Sequence, residues 1–111
     1  MDKLVQYRQY IQTILTKHGS YKPKYQDVEN ELIFDTMHDH YQLMRVGWNN
    51  LHRVYHTVMH FDIRDGKIWI QQNKTDVDLA LELLEMGVLK EDIVLGLQPP
   101  YKRPYTGYSV A

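Results

Sequence analysis

The chain has 111 residues, of which 43% are hydrophobic and 24% charged, and its formal net charge is −1. This composition is that of one globular domain spanning residues 1–111, and it argues against a disordered chain. The near-neutral balance lacks the basic excess typical of autonomous nucleic-acid binding, and the absence of cysteine excludes disulfides, thiol nucleophiles and thiolate metal sites.

The first predicted element is a helix over residues 2–17. Its apolar residues recur at three- and four-residue steps and are expected to be buried together: Leu4, Tyr7, Ile11, Ile14 and Leu15. Asp2 suits the positive end of the helix dipole. Gly19 is expected to end the helix in the left-handed conformation.

Two strands are predicted next, over residues 28–37 and 41–48, joined by a polar turn at residues 38–40. A helix remains an alternative for the first segment, because ENELIFD has moderate helix propensity. We prefer a strand, since polar residues interrupt the helical stripe and a turn follows at once. Gly47 inside the second strand indicates a bulge or a close approach of another backbone segment.

The strongest structural signal is Asp65-Gly66 between alternating apolar residues, which predicts a β-hairpin with a two-residue type I′ turn. The hairpin joins a third strand, residues 51–63, to a fourth, residues 67–72. A two-residue loop sets the expected cross-strand pairs: Arg64 with Lys67, Ile63 with Ile68, Asp62 with Trp69, Phe61 with Ile70, and His60 with Gln71.

Side-chain alternation gives this hairpin two different faces. One face is expected to join the core and consists of Met59, Phe61, Ile63, Ile68 and Ile70. The other is a mixed polar and aromatic surface that needs a cover or a partner, formed by His56, Val58, His60, Asp62, Trp69 and Gln71.

A second helix is predicted over residues 75–86, with Thr75 as its cap and Gly87 as the left-handed residue after its end. Its buried stripe is expected to comprise Val77, Ala80, Leu81, Leu83 and Leu84. An apolar run at residues 93–97 follows, and the basic, aromatic tail after it is expected to be extended. The predicted fold is therefore α+β, a four-stranded antiparallel sheet with both helices packed on it.

Three histidines spaced by four, His52, His56 and His60, would share one face of a helix and could hold a metal ion there. The hairpin signal places them on a strand instead, where residues four apart lie about 13 Å from each other. That distance is too large for two of them to share one ion. We therefore expect neither a metal nor a cofactor, and interpret these histidines as surface or hydrogen-bonded sheet residues.

The predicted strand pairing assembles one cluster of functional residue types. A histidine beside a carboxylate is able to act as an acid or a base, which leaves a small enzyme using His60 and Asp62 as an alternative. The sequence offers no cysteine nucleophile and no glycine-rich phosphate loop. We favour an interface and predict no catalytic residue; the candidate contacts are Trp48, His56, His60, Asp62, Trp69, Gln71, Arg103 and Tyr105.

The order of motifs along the chain resembles the XisI family, the factors that control excision of the cyanobacterial fdxN element. The resemblance covers essentially the whole chain, with mild departures at Gln98, where histidine is common, and at Gly107-Tyr108, where an acidic residue and phenylalanine are expected. It is carried by Gly47-Trp48, Arg53-Val54, His56, His60, DIRDGKIWIQQ (62–72), Thr75, LELLEMGV (81–88), KEDIVLGL (90–97), Arg103 and the final YTGYSVA.

The resemblance implies a non-enzymatic accessory factor that controls DNA element excision by a site-specific recombinase through protein–protein contacts. The family's companion protein, XisH, is the implied partner, and no catalytic residues are established in the family. Direct DNA binding is the first alternative.

We also expect a homodimer or higher homo-oligomer, because one domain of this size has helices for only one face of its sheet. No run approaches the ~20 apolar residues of a membrane span, so a cytoplasmic location is expected.

Overall fold

A computed structural model describes residues 2–111 of the chain. Its elements in order are α1 (Lys3–Gly19), β1 (Val28–Asp35), β2 (His40–Asn49), β3 (His52–Arg64), β4 (Lys67–Asn73), α2 (Leu79–Met86), a 3₁₀ turn (Lys90–Asp92), β5 (Ile93–Val94) and a 3₁₀ segment (Pro100–Tyr105). The predicted α+β class, with one N-terminal helix and a second helix after the hairpin, is confirmed.

Within the described residues the sheet has five strands in the order β1-β2-β3-β4-β5, not the predicted four. The first four form the expected antiparallel meander, and β5 lies parallel to β4 with only two residues. A parallel pair requires a crossover connection, which α2 supplies between β4 and β5. A two-residue strand has no alternation to detect, so the sequence pattern shows only an apolar run.

The predicted turn of the β3–β4 hairpin is correct: Asp65 and Gly66 both adopt positive φ, of 50° and 77°. The four cross-strand pairs nearest the turn are also as predicted. The fifth is wrong, because a bulge between His60 and Phe61 places His60 opposite Gln72 and leaves Gln71 without a Cα partner. A bulge of one residue shifts every later pair.

A second bulge lies between β2 and β3, where Leu43 pairs with Met59 and the next residue, Met44, pairs with Thr57. The extra residue, Val58, is buried in the core beside Met59. The placement of Val58 and His56 on the face of His60 was therefore wrong. Beyond the bulge the alternation is inverted, and both turn toward the helices.

The core lies between the sheet and the two helices. The four residues that α1 buries are among those predicted: Tyr7, Ile11, Ile14 and Leu15. α2 begins later than predicted, because Asp78 rather than Thr75 caps it by accepting a hydrogen bond from the Leu81 N–H. Its buried residues are Leu79, Ala80 and Leu83, and Leu81 is exposed rather than buried.

Three predictions about segment ends are also corrected. β1 stops at Asp35, whose side chain accepts hydrogen bonds from the backbone N–H groups of Met37 and His38 and so turns the chain. α1 includes Gly19 and ends at Ser20 in right-handed geometry, so no left-handed glycine is needed there. The tail is not extended throughout, since residues 100–105 form a 3₁₀ segment.

Both helices contribute to one continuous core, and they contact each other through an ion pair from Lys17 to Glu82 and a hydrogen bond between His18 and Glu82. Neither α1 nor α2 lies on the opposite side of strands β1–β4. We call this side the open face. By strand register and alternation it carries Glu29, Glu31, Ile33, His40, Gln42, Met44, Val46, Trp48, Arg53, Tyr55, Thr57, His60, Asp62, Trp69, Gln71 and Gln72.

Candidate functional site

The carboxylate of Asp62 is the centre of a polar cluster on the open face. Its Oδ1 atom lies 2.8 Å from Nδ1 of His40 and 2.8 Å from Nε2 of His60. Its Oδ2 atom accepts a hydrogen bond of 3.1 Å from Nε2 of Gln71 and lies 3.6 Å from Nη2 of Arg64. The two oxygens therefore serve different groups: both imidazoles meet at Oδ1, and the amide and guanidinium hold Oδ2.

Strand register places these residues. Asp62 stands opposite His40 on β2 and opposite Trp69 on β4. His60 precedes Asp62 by two positions on β3, so the two side chains share a face. Gln71, expected opposite His60, instead donates to Asp62. The predicted group of a histidine, a carboxylate, an indole and an amide is thus brought together with Asp62 at its centre.

The charge of Asp62 is fixed by its surroundings. The residue is only 3% exposed, and burial by itself would raise the pKa of its carboxyl group. Hydrogen bonds from His40, Gln71 and His60 outweigh that effect and hold the pKa of Asp62 below its ordinary value. The cluster therefore contains a buried carboxylate that stays ionised at neutral pH, with donors on both oxygens.

Trp69 lies beside this cluster between two cations. The guanidinium carbons of Arg64 and Arg103 are each 5.1 Å from the centroid of its ring, within the range of cation–π attraction. A Cβ atom on Gly96 would lie 3.0 Å from Cε3 of Trp69 and 2.5 Å from Oε1 of Gln71. The chain after β5 therefore passes so close to β4 that only glycine fits there without displacing these side chains.

A second group of side chains on the open face is aromatic and exposed. The guanidinium carbon of Arg53 is 5.3 Å from the Trp48 ring and 5.6 Å from the Tyr55 ring. Trp48 is 49% exposed and Tyr55 64% exposed. Two half-buried neighbours, Met44 and Val46, continue this surface along β2. We call these five residues the aromatic patch.

The remaining interface candidates lie elsewhere. His56 is on the helix side of the sheet opposite Arg45, and burial together with the positive charges of Arg45 and Lys74 lowers its pKa. Tyr105 is 88% exposed, at the end of the 3₁₀ segment. Neither residue lies among the strand side chains of the open face, so their predicted interface role would concern other surfaces.

The sequence does not predict a site role for His40, because it places residues 38–40 in a turn. Counting back from the β2–β3 turn, where Asn49 pairs with His52, an unbroken ladder would place Phe61 opposite His40. The bulge at Val58 moves the register by one and brings Asp62 there instead. No sequence signal marks that bulge, so the meeting of the two histidines at one oxygen appears only in the folded chain.

A cleft of about 440 Å³ lies on the helix side, away from the Asp62 cluster. Its lining includes Lys17, His18, Arg45 and Glu82. Glu82 is already paired with Lys17 and His18, at 3.1 Å and 2.9 Å.

Within residues 2–111, no helix combines the length and apolar character that crossing a membrane requires.

The fold and site define a two-layer α+β protein, with a helix-covered sheet and a polar and aromatic open face. The family model described as "XisI protein" matches residues 1–110. The chain belongs to the XisI family.

Two solved structures are similar over nearly the whole chain. A XisI-like protein from Anabaena variabilis is 57% identical, with a TM-score of 0.93, covering 97% of this chain and 99% of its own. The fdxN element excision controlling factor XisI from Anabaena variabilis is 36% identical, with a TM-score of 0.88, covering 99% of this chain and 100% of its own. A search of curated proteins gives no match.

Proposed function

We propose that this chain is an accessory factor for the excision of a DNA element, and that it acts through contacts with another protein rather than by catalysis. Support for the excision role comes from family membership and from the similar Anabaena variabilis protein named an fdxN element excision controlling factor. The implied partner is a XisH-like protein.

The observation that carries the protein-contact mechanism is the open face. Exposed tryptophan and tyrosine side chains are enriched where proteins bind each other, and a contiguous apolar surface of this kind is uncommon on a chain that works alone. The aromatic patch has this character, with Trp48 and Tyr55 about half exposed or more. The net charge of −1 also fits a protein partner better than autonomous DNA binding.

Co-purification with a XisH-like protein tests the proposal. We expect a stable complex, and we expect Trp48→Ala and Tyr55→Ala each to weaken it by roughly 30-fold, the effect of losing a hot-spot residue. Tyr21→Ala is the matched control, since Tyr21 is an exposed aromatic residue on the helix side. It should leave the affinity unchanged.

Two outcomes would contradict the proposal. Absence of a complex would overturn the assigned partner, and equal affinity for the patch variants and the control would overturn the assigned surface. Binding of the chain alone to DNA, weakening steeply with salt, would support direct DNA contact instead.

We also propose that the chain self-associates through the open face when the partner is absent, with Trp48 as a central contact. A second copy would cover the aromatic patch, which neither α1 nor α2 covers. Sedimentation equilibrium should show dimers or larger species that Trp48→Ala weakens. A strict monomer at high protein concentration would refute self-association.

A further inference from the structure

We propose that His40, His60 and Asp62 form a binding site for one divalent transition-metal ion of the Zn²⁺ type. The inference goes beyond the proposed accessory function and does not require catalysis. Each residue offers one ligand atom, and the three atoms all lie within 4.8 Å of one another. Among residues 2–111, this is the one group of three or more such side chains close enough to share an ion.

The three ligand atoms are close to the spacing of a metal site, and the contacts between them are now hydrogen bonds. Zn²⁺ takes nitrogen and carboxylate ligands at about 2.0–2.2 Å in tetrahedral geometry, which puts neighbouring ligand atoms about 3.4 Å apart. Both imidazole nitrogens are 2.8 Å from Oδ1 of Asp62. An ion would enter in place of the two hydrogen bonds, with Oδ1 of Asp62 and each imidazole nitrogen moving apart by about half an ångström.

The surroundings of the carboxylate match those of ligating carboxylates in general. Such groups are oriented by hydrogen bonds from residues that do not touch the ion. Here Gln71 and Arg64 contact only Oδ2 and leave Oδ1 to the imidazoles. Arg64 brings a positive charge 3.6 Å from Oδ2, which opposes a cation but is next to the oxygen that neither histidine contacts.

The site would remain open to solvent on one side. The side chain of His40 is 52% exposed and that of His60 26%, whereas that of Asp62 is 5% exposed. Three protein ligands leave a fourth position, which water or a side chain of a bound partner would fill. Imidazole ligands favour Zn²⁺ and similar ions over Mg²⁺, which prefers oxygen ligands.

Metal binding is tested on the full chain without a histidine tag, by competition with a chromophoric chelator. We expect one Zn²⁺ per chain and no competition from Mg²⁺. His40→Ala and His60→Ala should each lower the Zn²⁺ affinity by more than about 100-fold, and Gln71→Ala by about 10–100-fold, as for an outer-shell partner. His52→Ala is the control, because His52 lies on β3 outside the cluster, and it should change nothing.

Two further measurements separate ligand loss from misfolding. Co²⁺ in place of Zn²⁺ should give visible absorption bands that disappear in His60→Ala, while circular dichroism of that variant remains native. Absence of Zn²⁺ binding at micromolar concentrations, or binding that survives both histidine substitutions, would overturn the proposal. Neither result bears on the complex with a XisH-like partner, so the two proposals fail independently.

Discussion

Tyr7 on α1 donates a hydrogen bond of 2.6 Å to Oδ2 of Asp92, a residue 85 positions further along the chain. Lys3 pairs with the same oxygen at 3.0 Å. Both Tyr7 and Asp92 are buried, so this contact ties the first helix to the 3₁₀ turn that leads into β5. Burial and the hydrogen bond to Asp92 raise the pKa of Tyr7 to about 12.

We expect Tyr7→Phe to lower the free energy of unfolding by ~1.5–3 kcal/mol, the usual contribution of a hydrogen bond to a charged group. The substitution leaves a buried carboxylate with one donor fewer. Urea denaturation measures the loss. Tyr10→Phe is the control, because no side-chain hydrogen bond from the Tyr10 hydroxyl occurs within residues 2–111; an equal loss there would refute the assignment.

Stability should fall in acid. Burial raises the pKa of Asp92, but hydrogen bonds from Tyr7 and Lys3 outweigh it, so that the folded pKa lies below the ordinary value of 3.8. The Asp92 carboxylate therefore binds a proton more readily in the unfolded chain than in the folded one. Its contribution to stability is complete above about pH 5 and is lost as the pH falls through the folded pKa. Asp92→Asn should flatten this part of the profile of unfolding free energy against pH.

The control for that profile is Asp76→Asn, which removes a carboxylate that is exposed and has no hydrogen bond or ion pair within residues 2–111. It should leave the slope unchanged. A profile that Asp92→Asn does not flatten would contradict the role given to this carboxylate.

Gly47→Ala should be among the most destabilising single changes on the sheet. A Cβ atom there would lie 2.1 Å from the carbonyl oxygen of Asp27, a backbone atom that also accepts the Trp48 N–H at 3.0 Å. We expect a loss of about 3 kcal/mol in the free energy of unfolding, at the upper end for overpacking. The close backbone approach predicted from the sequence is confirmed.

Gly66→Ala provides the comparison, because a Cβ atom there meets nothing within 4 Å and only the positive φ of 77° is unfavourable. Its cost should be about 1–2 kcal/mol. Equal losses at the two glycines would show that the contact with Asp27 contributes nothing.

Arg103→Ala should loosen the segment after β5. Arg103 lies over Trp69 and donates hydrogen bonds to the carbonyl oxygens of Gln98, at 3.1 Å, and Gly96, at 3.4 Å. We expect faster hydrogen exchange across residues 95–105 and a loss of ~1–2 kcal/mol in unfolding free energy. Lys102→Ala removes the same charge next to it and should leave exchange unchanged; slowed or unaltered exchange in Arg103→Ala would contradict the role.

Local signals predicted the parts of the fold that depend on neighbouring residues. Asp65-Gly66 fixes the hairpin turn because both residues accept positive φ, and four pairs follow from it directly. Gly87 adopts φ of 107° after α2, and the Val88 N–H bonds the Leu83 carbonyl at 3.0 Å, as the glycine predicted.

The wrong predictions concern strand register and strand number, which depend on packing between separate segments rather than on neighbouring residues. The bulges at Val58 and after His60 depend on how β3 packs against both neighbours, and they decide which side chains face the helices. The fifth strand depends on contacts between segments distant in sequence. The site was therefore predicted in part: its Asp62, His60 and Gln71 were found, whereas His40 required a register that only the folded sheet defines.

The link between Tyr7 and Asp92 has a consequence for how the chain folds during synthesis. α1 leaves the ribosome before the sheet and α2, yet the buried hydroxyl of Tyr7 finds its acceptor only when position 92 has emerged. Until then the apolar side of α1 has an incomplete partner surface, and nascent chains of this kind are the ones that expose hydrophobic residues to chaperones. Contacts between such distant positions also slow folding, because a long loop must close before they form.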